Sequence, residues 1–363
     1  MGSAIDGFIE SRLTMHSGGW AAHYYGYDHR SSKPIEPLYT EITGYGVSLR
    51  LWRGGGGLVD ELSSFLRMAA GPAGGVVYGY YPGSGRWSGK AYVFDNGVVA
   101  KGLLDAYRAT GRRSYLEQAL TVCRWILGMQ VGDGWFRAAY DYSAGDYYSP
   151  GEWYGDGGCL HGKTVMPLID AYRVTGSDTY LEAVEKTLGW LLGLQHESGG
   201  FEARPGAGYV FSHAHCYAME GVLYAWAALG RDDLLDAAVR GAGWLARVQS
   251  RRGGIPERYP WGGGGLRSRL SLDATAQAAR IWMIMYRLTG EEYWLERAEA
   301  AIGFIEALPS RGGGLPAYLE RLGPVSRASA RTHTWSLMFT VQALDMYGGL
   351  EGFGAEEMIG RLF

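Results

Sequence analysis

Asparagine is almost missing from this sequence: Asn96 is the only one in 363 residues. Such depletion of thermolabile amides is the composition expected of a thermophile. Cysteine is nearly as scarce, with Cys123, Cys159 and Cys216 alone. An odd count of three argues against a disulfide framework and for a reducing compartment. No charge of either sign dominates, since 34 Lys and Arg face 37 Asp and Glu. That balance excludes the strongly basic character of nucleic-acid binders and of proteins held to anionic membranes. No window approaches about 18 uninterrupted apolar residues, so no membrane span is expected. The opening residues, Met1 to Asp6, have neither a basic stretch nor an apolar core. The sequence therefore predicts no secretory leader and a cytoplasmic location.

What the chain has in excess is glycine, 58 residues, and large aromatics, 13 Trp and 26 Tyr. The glycines fall at regular places. Leu104-Asp105-Ala106-Tyr107-Arg108-Ala109-Thr110-Gly111 recurs as Ile169-Asp170-Ala171-Tyr172-Arg173-Val174-Thr175-Gly176, with looser copies ending at Gly230 and Gly290. Each copy is followed by a second apolar-periodic stretch and then by a glycine cluster at Gly132-Gly134, Gly199-Gly200, Gly253-Gly254 or Gly312-Gly314. Glycine closing a periodic segment supplies a left-handed C-cap. The unit is therefore helix, tight turn, helix, glycine-rich loop, repeating about every 55 to 65 residues, too long for the common two-helix solenoids. A degenerate unit spans residues 39–68. The last first-helix, 333–346, lacks a partner that residues 5–15 can supply by closing the ring. The expected fold is an all-α (α/α)6 toroid, six hairpins and 12 helices in one domain over 1–363.

Polar residues gather where the six first helices begin. They are Tyr39, Glu41 and Tyr45; Asp95; His161 and Lys163; His213, His215 and Glu220; Asp273 and Gln277; Arg331 and His333. Singly, Asp95 or Asp273 reads as a helix cap. Recurrence at every start predicts a shared cleft at the end of the ring carrying the long loops. His213, Tyr217, Glu220 and Tyr224 fall on one helical stripe. The loops contribute flat rings with polar tips, Trp20, Tyr78, Trp87, Trp135, Tyr154 and Trp261 among them, which suit sugar rings. Arg258, Arg267, Arg269, Arg321 and Arg331 crowd two neighbouring loops, and their forks match carboxylates.

Three motifs carry less. Asp232-Asp233-Leu234-Leu235-Asp236 has the form of a diphosphate-binding motif but sits at an outer helix start, where Asp caps. Gln130 with Gly134-Trp135, and Gln195 with Gly199-Gly200-Phe201, resemble the Gln-Trp repeats of triterpene cyclases, but no DxDD acid motif accompanies them. The Cys159, His161, His213, His215 and Cys216 group resembles the zinc ligands of lanthipeptide-cyclase-like toroids. Cys159 and His161 cannot share one helix face, so no metal is expected.

The whole chain resembles the (α/α)6-barrel sugar enzymes associated with polysaccharide and glycoprotein assembly. The carrying segments are Tyr39 to Tyr45, Phe94 to Gly97, His161 to Thr164, Ser212 to Gly221 and Ala274 to Trp282. More distantly it is similar to glucuronyl C5-epimerases, whose last helix opens on an Arg and His-Thr pattern, here Arg331-Thr332-His333-Thr334. Those enzymes carry Tyr where this chain has Thr332. The likeness to N-acylglucosamine 2-epimerases is one of fold and inner-helix histidines. The resemblance implies an enzyme acting on an anionic, uronate-containing oligo- or polysaccharide by proton abstraction, as an epimerase or lyase. The base would be His213, His333 or a Tyr; the carboxylate clamp Arg258, Arg267, Arg331 or Lys163; the opposing acid Tyr45, Tyr154 or His161. No cofactor is required. A glycoside hydrolase using two of Glu41, Asp95, Asp156, Glu220 and Asp273 is the alternative, and a non-enzymatic glycan- or lipid-binding toroid a third.

Overall fold

The computed structural model describes residues 1–261, 269–322 and 325–363. Within them the chain forms two compact units. The N-terminal unit comprises Thr14–Tyr25, Ile35–Gly193 and Phe363; the C-terminal unit comprises Met1–Leu13, Gly26–Pro34 and Leu194–Leu362.

The C-terminal unit opens with α1 (Gly2–Phe8). The N-terminal unit holds three helical hairpins: α2 (Thr40–Trp52) with α3 (Val59–Met68), α4 (Val93–Thr110) with α5 (Arg113–Met129), and α6 (Val165–Thr175) with α7 (Asp178–Gly193). In it α4 packs on α2, α5 and α6. The C-terminal unit continues with α8 (Ser212–Leu229) and α9 (Asp232–Val248), α10 (Leu272–Thr289) and α11 (Glu292–Glu306), and then α12 (Thr334–Gly348) and α13 (Ala355–Gly360). There α10 packs on α8, α11 and α12, and α1 lies along α12.

The two helices of a hairpin differ in kind. Every residue of α8 from Ser212 to Ala225 and of α10 from Leu272 to Met285 is buried. A helix apolar all round is a core helix. By contrast α5 buries Tyr115, Ala119, Val122, Cys123, Trp125, Ile126 and Met129, a single face at helical spacing. The turn between the helices is set by glycine: Gly111, Gly176, Gly230 and Gly290 have φ of 70°, 67°, 65° and 71°, a region that strains residues bearing a Cβ.

Two sequence expectations need correction. The chain is not all-α, because the glycine- and tyrosine-rich loops pair with one another as short antiparallel strands. Lys90–Tyr92, Ala139–Asp141 and Asp146–Tyr148 form one such sheet in the N-terminal unit. Arg258–Pro260 pairs with Tyr209–Phe211 in the C-terminal unit. Nor does the first helix run to residue 15. A π-helical turn, Ile9–Leu13, ends it, and Thr14–Ser17 turns back to pair with Trp20–His23. α13 adds a thirteenth α-helix among the described residues.

The glutamines after the outer helices explain the cyclase-like motif. Gln195 Nε2 donates to Gly199 O in its own loop at 3.0 Å and to Ala237 O of α9 at 2.9 Å. Gln249 does the same with Gly253 O and Arg297 O of α11, both at 3.0 Å, and Gln130 reaches Ala183 O and Thr187 Oγ1 of α7, both at 2.8 Å. The repeated Gln is a strut tying each glycine loop to the next outer helix.

Candidate active site

Each unit gathers a cluster of ionisable groups at the amino ends of its core helices. In the N-terminal unit, Glu41 lies in the first turn of α2 and Asp95 in the first turn of α4. Asp95 is fully buried. Its Oδ1 accepts the Tyr154 hydroxyl, Tyr39 also hydrogen-bonds the carboxyl, and Oδ2 has no hydrogen-bond partner. Burial pushes this carboxyl up to about 7, against the pull of the two tyrosines. Burial and the neighbouring Asp95 raise Glu41 well above the carboxylate range, opposed by a hydrogen bond from Tyr45 and the charge of Lys163. Two carboxyls that resist joint ionisation can hold one proton near neutral pH.

Tyrosines wall this pair. The Tyr39, Tyr78, Tyr92 and Tyr154 rings contact in succession at 5.5, 5.5 and 5.4 Å between centroids. Burial raises all four hydroxyls, so they stay protonated donors. Lys163 is buried and donates to Phe363 O at 2.5 Å, which makes it a strut of this unit and removes it as a carboxylate clamp.

In the C-terminal unit the cluster is His213, Asp273 and His333. His213 opens α8, Asp273 opens α10, and His333 caps α12. Asp273 Oδ2 accepts Trp335 Nε1 at 3.0 Å and lies 4.0 Å from His213 Nδ1; Oδ1 accepts the Ser271 hydroxyl and Ala274 N. Burial alone would raise this carboxyl, but His213, Ser271, His333 and Trp335 together hold it below its ordinary value. His333 stacks on Trp335 at 4.3 Å and 21°. Burial holds its imidazole down to about 4 despite Asp273, helped by His213, Arg269 and Arg331. It is a neutral base at physiological pH.

A buried hydrogen-bonded chain leads to one of these histidines, His213. Arg280 Nη1 donates to Gln342 Oε1, and Nη2 donates to Glu220 Oε1 at 2.5 Å, with both charged side chains fully buried. Glu220 Oε1 also accepts Gln277 Nε2 at 3.1 Å. The amide orientation of Gln277 is thereby set, and its Oε1 accepts from His213 Nδ1 at 2.5 Å. His213 Nδ1 is therefore the donor of that bond.

Other expected site residues lie elsewhere. His215 is a strut: Nδ1 accepts Phe201 N at 3.1 Å, Nε2 bonds Gly241 O at 3.2 Å, and burial lowers its imidazole to about 3. Glu220 is spent on Arg280 inside the core and positions rather than reacts. His161 is buried edge-on against Phe136, its imidazole lowered to about 3 by burial. Trp20 and Trp87 pack on Phe65 and Tyr80. Trp135 leans on Trp190 of α7, and Trp261 stacks on His196 at 4.4 Å. Arg258 lies over the Tyr209 and Phe211 rings, and Arg331 is exposed on a strand opposite Asp28. Arg267 lies outside the described residues, as does the side chain of Arg321. Among the described residues no three His, Cys, Asp or Glu groups are placed to hold a metal.

The sequence reading missed Trp335, Ser271, Arg280 and Gln342. Arg280 had a signal: an arginine inside the apolar run Ala274–Met285 demands a carboxylate on a neighbouring core helix.

In fold the chain is similar to solved (α/α)6 toroid proteins, carbohydrate enzymes among them. Among solved structures, the cellobiose 2-epimerase of Bacillus thermoamylovorans is similar over 94% of this chain and 98% of its own, with a TM-score of 0.74 at 13% identity. An unsaturated glucuronyl hydrolase specific for heparin matches over 98% and 96%, with a TM-score of 0.70 at 9% identity. These likenesses show the fold. No family model matches the chain. In sequence it is 27% identical over 143 residues to squalene–hopene cyclase of Zymomonas mobilis, 38% of this chain. The matches cover only 22% to 27% of the length of such curated relatives.

Proposed function

We propose that this chain is a carbohydrate epimerase or lyase, a single toroid domain that removes a proton from a sugar carbon beside a carbonyl or carboxylate. The observation that carries the reading is the placement of His213 and His333, two buried imidazoles, against one ionised carboxylate, Asp273. One imidazole takes the proton and becomes a cation that Asp273 stabilises; the other holds or returns a proton. The chain from Arg280 through Glu220 and Gln277 fixes His213 Nδ1 as a donor, which supports a role for its other nitrogen in proton transfer. Arg269 and Arg331 place positive charge near His333, which favours an anionic sugar and its enolate-like intermediate. The names of the fold neighbours, a sugar epimerase and an enzyme of glucuronyl substrates, support the same substrate class. Three buried free cysteines support a reducing, cytoplasmic setting.

A second reading, glycoside hydrolysis, is favoured by the Glu41 and Asp95 pair, in which one carboxyl stays protonated near neutral pH. One experiment separates the two: incubation with a panel of uronate oligosaccharides in heavy water, followed by NMR. The proposal expects either deuterium at the carbon next to the carbonyl or carboxylate without chain cleavage, the epimerase outcome, or an unsaturated product, the lyase outcome. New saturated reducing ends without deuterium would overturn it in favour of hydrolysis.

A further inference from the structure

The strand Asp146–Tyr148 carries consecutive tyrosines, and neighbours along a strand point to opposite faces. Tyr148 meets Tyr92 of the acidic cluster edge-on at 6.5 Å. Tyr147 turns the other way, onto a hollow of about 380 Å³ against the outer helix α5. Thr121, Arg124, Trp125, Met129, Tyr140 and Tyr147 line it. That volume lies within the roughly 300–1,000 Å³ of ordinary ligand sites.

The lining has the chemistry of a sugar subsite. Tyr147 is exposed. The Arg137 guanidinium lies 3.7 Å over it, and Tyr140 stands edge-on at 5.6 Å, so the ring is held upright. The Trp125 indole forms the floor, lying so close to Gly75 that a Cβ there would meet it at 2.5 Å. At the rim, Arg124 Nη2 donates to Thr121 Oγ1 at 3.0 Å, which fixes a guanidinium fork beside the rings. Flat apolar faces with a few fixed donors match a pyranose, whose C–H face stacks and whose hydroxyls accept.

We infer that this hollow is an accessory subsite for a pyranose unit of an oligomeric glycan, held on the opposite face of the hairpin that walls the acidic cluster. The inference rests on the proposed carbohydrate function and adds a second place on the chain where a unit of a glycan is held. The test titrates the whole protein with cellohexaose and with hexameric oligogalacturonate, read by tryptophan fluorescence and NMR, alongside turnover of an unsaturated or uronate disaccharide. Tyr147→Ala should weaken hexamer binding at least tenfold and leave disaccharide turnover unchanged. If Arg124→Ala weakens only the uronate hexamer, the unit is acidic; equal weakening of both identifies a neutral ring. Hexamer binding that survives Tyr147→Ala, or that is absent from the wild type at millimolar concentration, would overturn the subsite. Loss of all disaccharide turnover with hexamer binding intact would instead sink the catalytic reading and leave the subsite standing.

Discussion

Replacing Asp95 by asparagine should make the protein more stable at alkaline pH, although it removes a buried polar group's charge and adds no contact. Asn keeps an oxygen where Oδ1 accepts Tyr154, and its amide supplies hydrogens at the position where Oδ2 has none. The carboxyl ordinarily titrates near 3.8 and is held at about 7 in the fold. A carboxyl with a raised native pKa binds its proton more tightly folded than unfolded, so stability is greatest below about pH 4 and is lost as pH rises through about 7. A shift of about three units at about 1.36 kcal/mol each sets a ceiling of roughly 4 kcal/mol, shared with the coupled Glu41. In a domain of this size that is a Tm gain of at most about 5 °C at pH 8, and almost none at pH 4. Glu41 should also ionise more readily in the variant, since Asp95's charge is one of the causes that raise it. The assay is urea unfolding from pH 4 to 9 on both proteins. Parallel stability curves would refute the claim that Asp95 is held protonated near neutrality.

Three further outcomes follow from the packing. Arg280→Met strands Glu220 as a buried charge and should lose about 3–5 kcal/mol in urea unfolding, with much of it recovered by adding Glu220→Leu. Gln195→Ala removes the strut between its loop and α9 and should lose about 1–3 kcal/mol while kcat is retained. His215→Leu should lower stability and leave the turnover of folded protein within a few-fold, whereas His213→Leu should abolish turnover with little change in Tm, because the two rings differ by two residues yet only one belongs to the Asp273 cluster.

The hairpins were legible because their signals are local: a periodic stretch, a glycine where φ turns positive, and a second periodic stretch beyond it. Glu41, Asp95, His213, Asp273 and His333 were legible because polar residues recurred where apolar helices begin. The split of those residues into a carboxyl cluster and a histidine cluster was not, since it depends on which helices pack together. Nor was the separation of His213 from His215 visible. Their spacing by two residues turns one toward α10 and the other toward Gly241 of α9, and the sequence says nothing of which side reacts. Trp335 escaped notice because a tryptophan in an apolar helix reads as packing until its N–H is seen on Asp273. The short strands stayed hidden because two- and three-residue pairings between glycine-rich loops leave no period to read.

In the proposed mechanism His213 and His333 move a proton as two separate groups about Asp273. Following isotope exchange between substrate and heavy water in His213→Asn and His333→Asn tests it directly. Neither variant should interconvert epimers or release product at more than about a thousandth of the wild-type rate, while one of them should still exchange the proton of the substrate it can deprotonate. Near-normal turnover in either variant would contradict it.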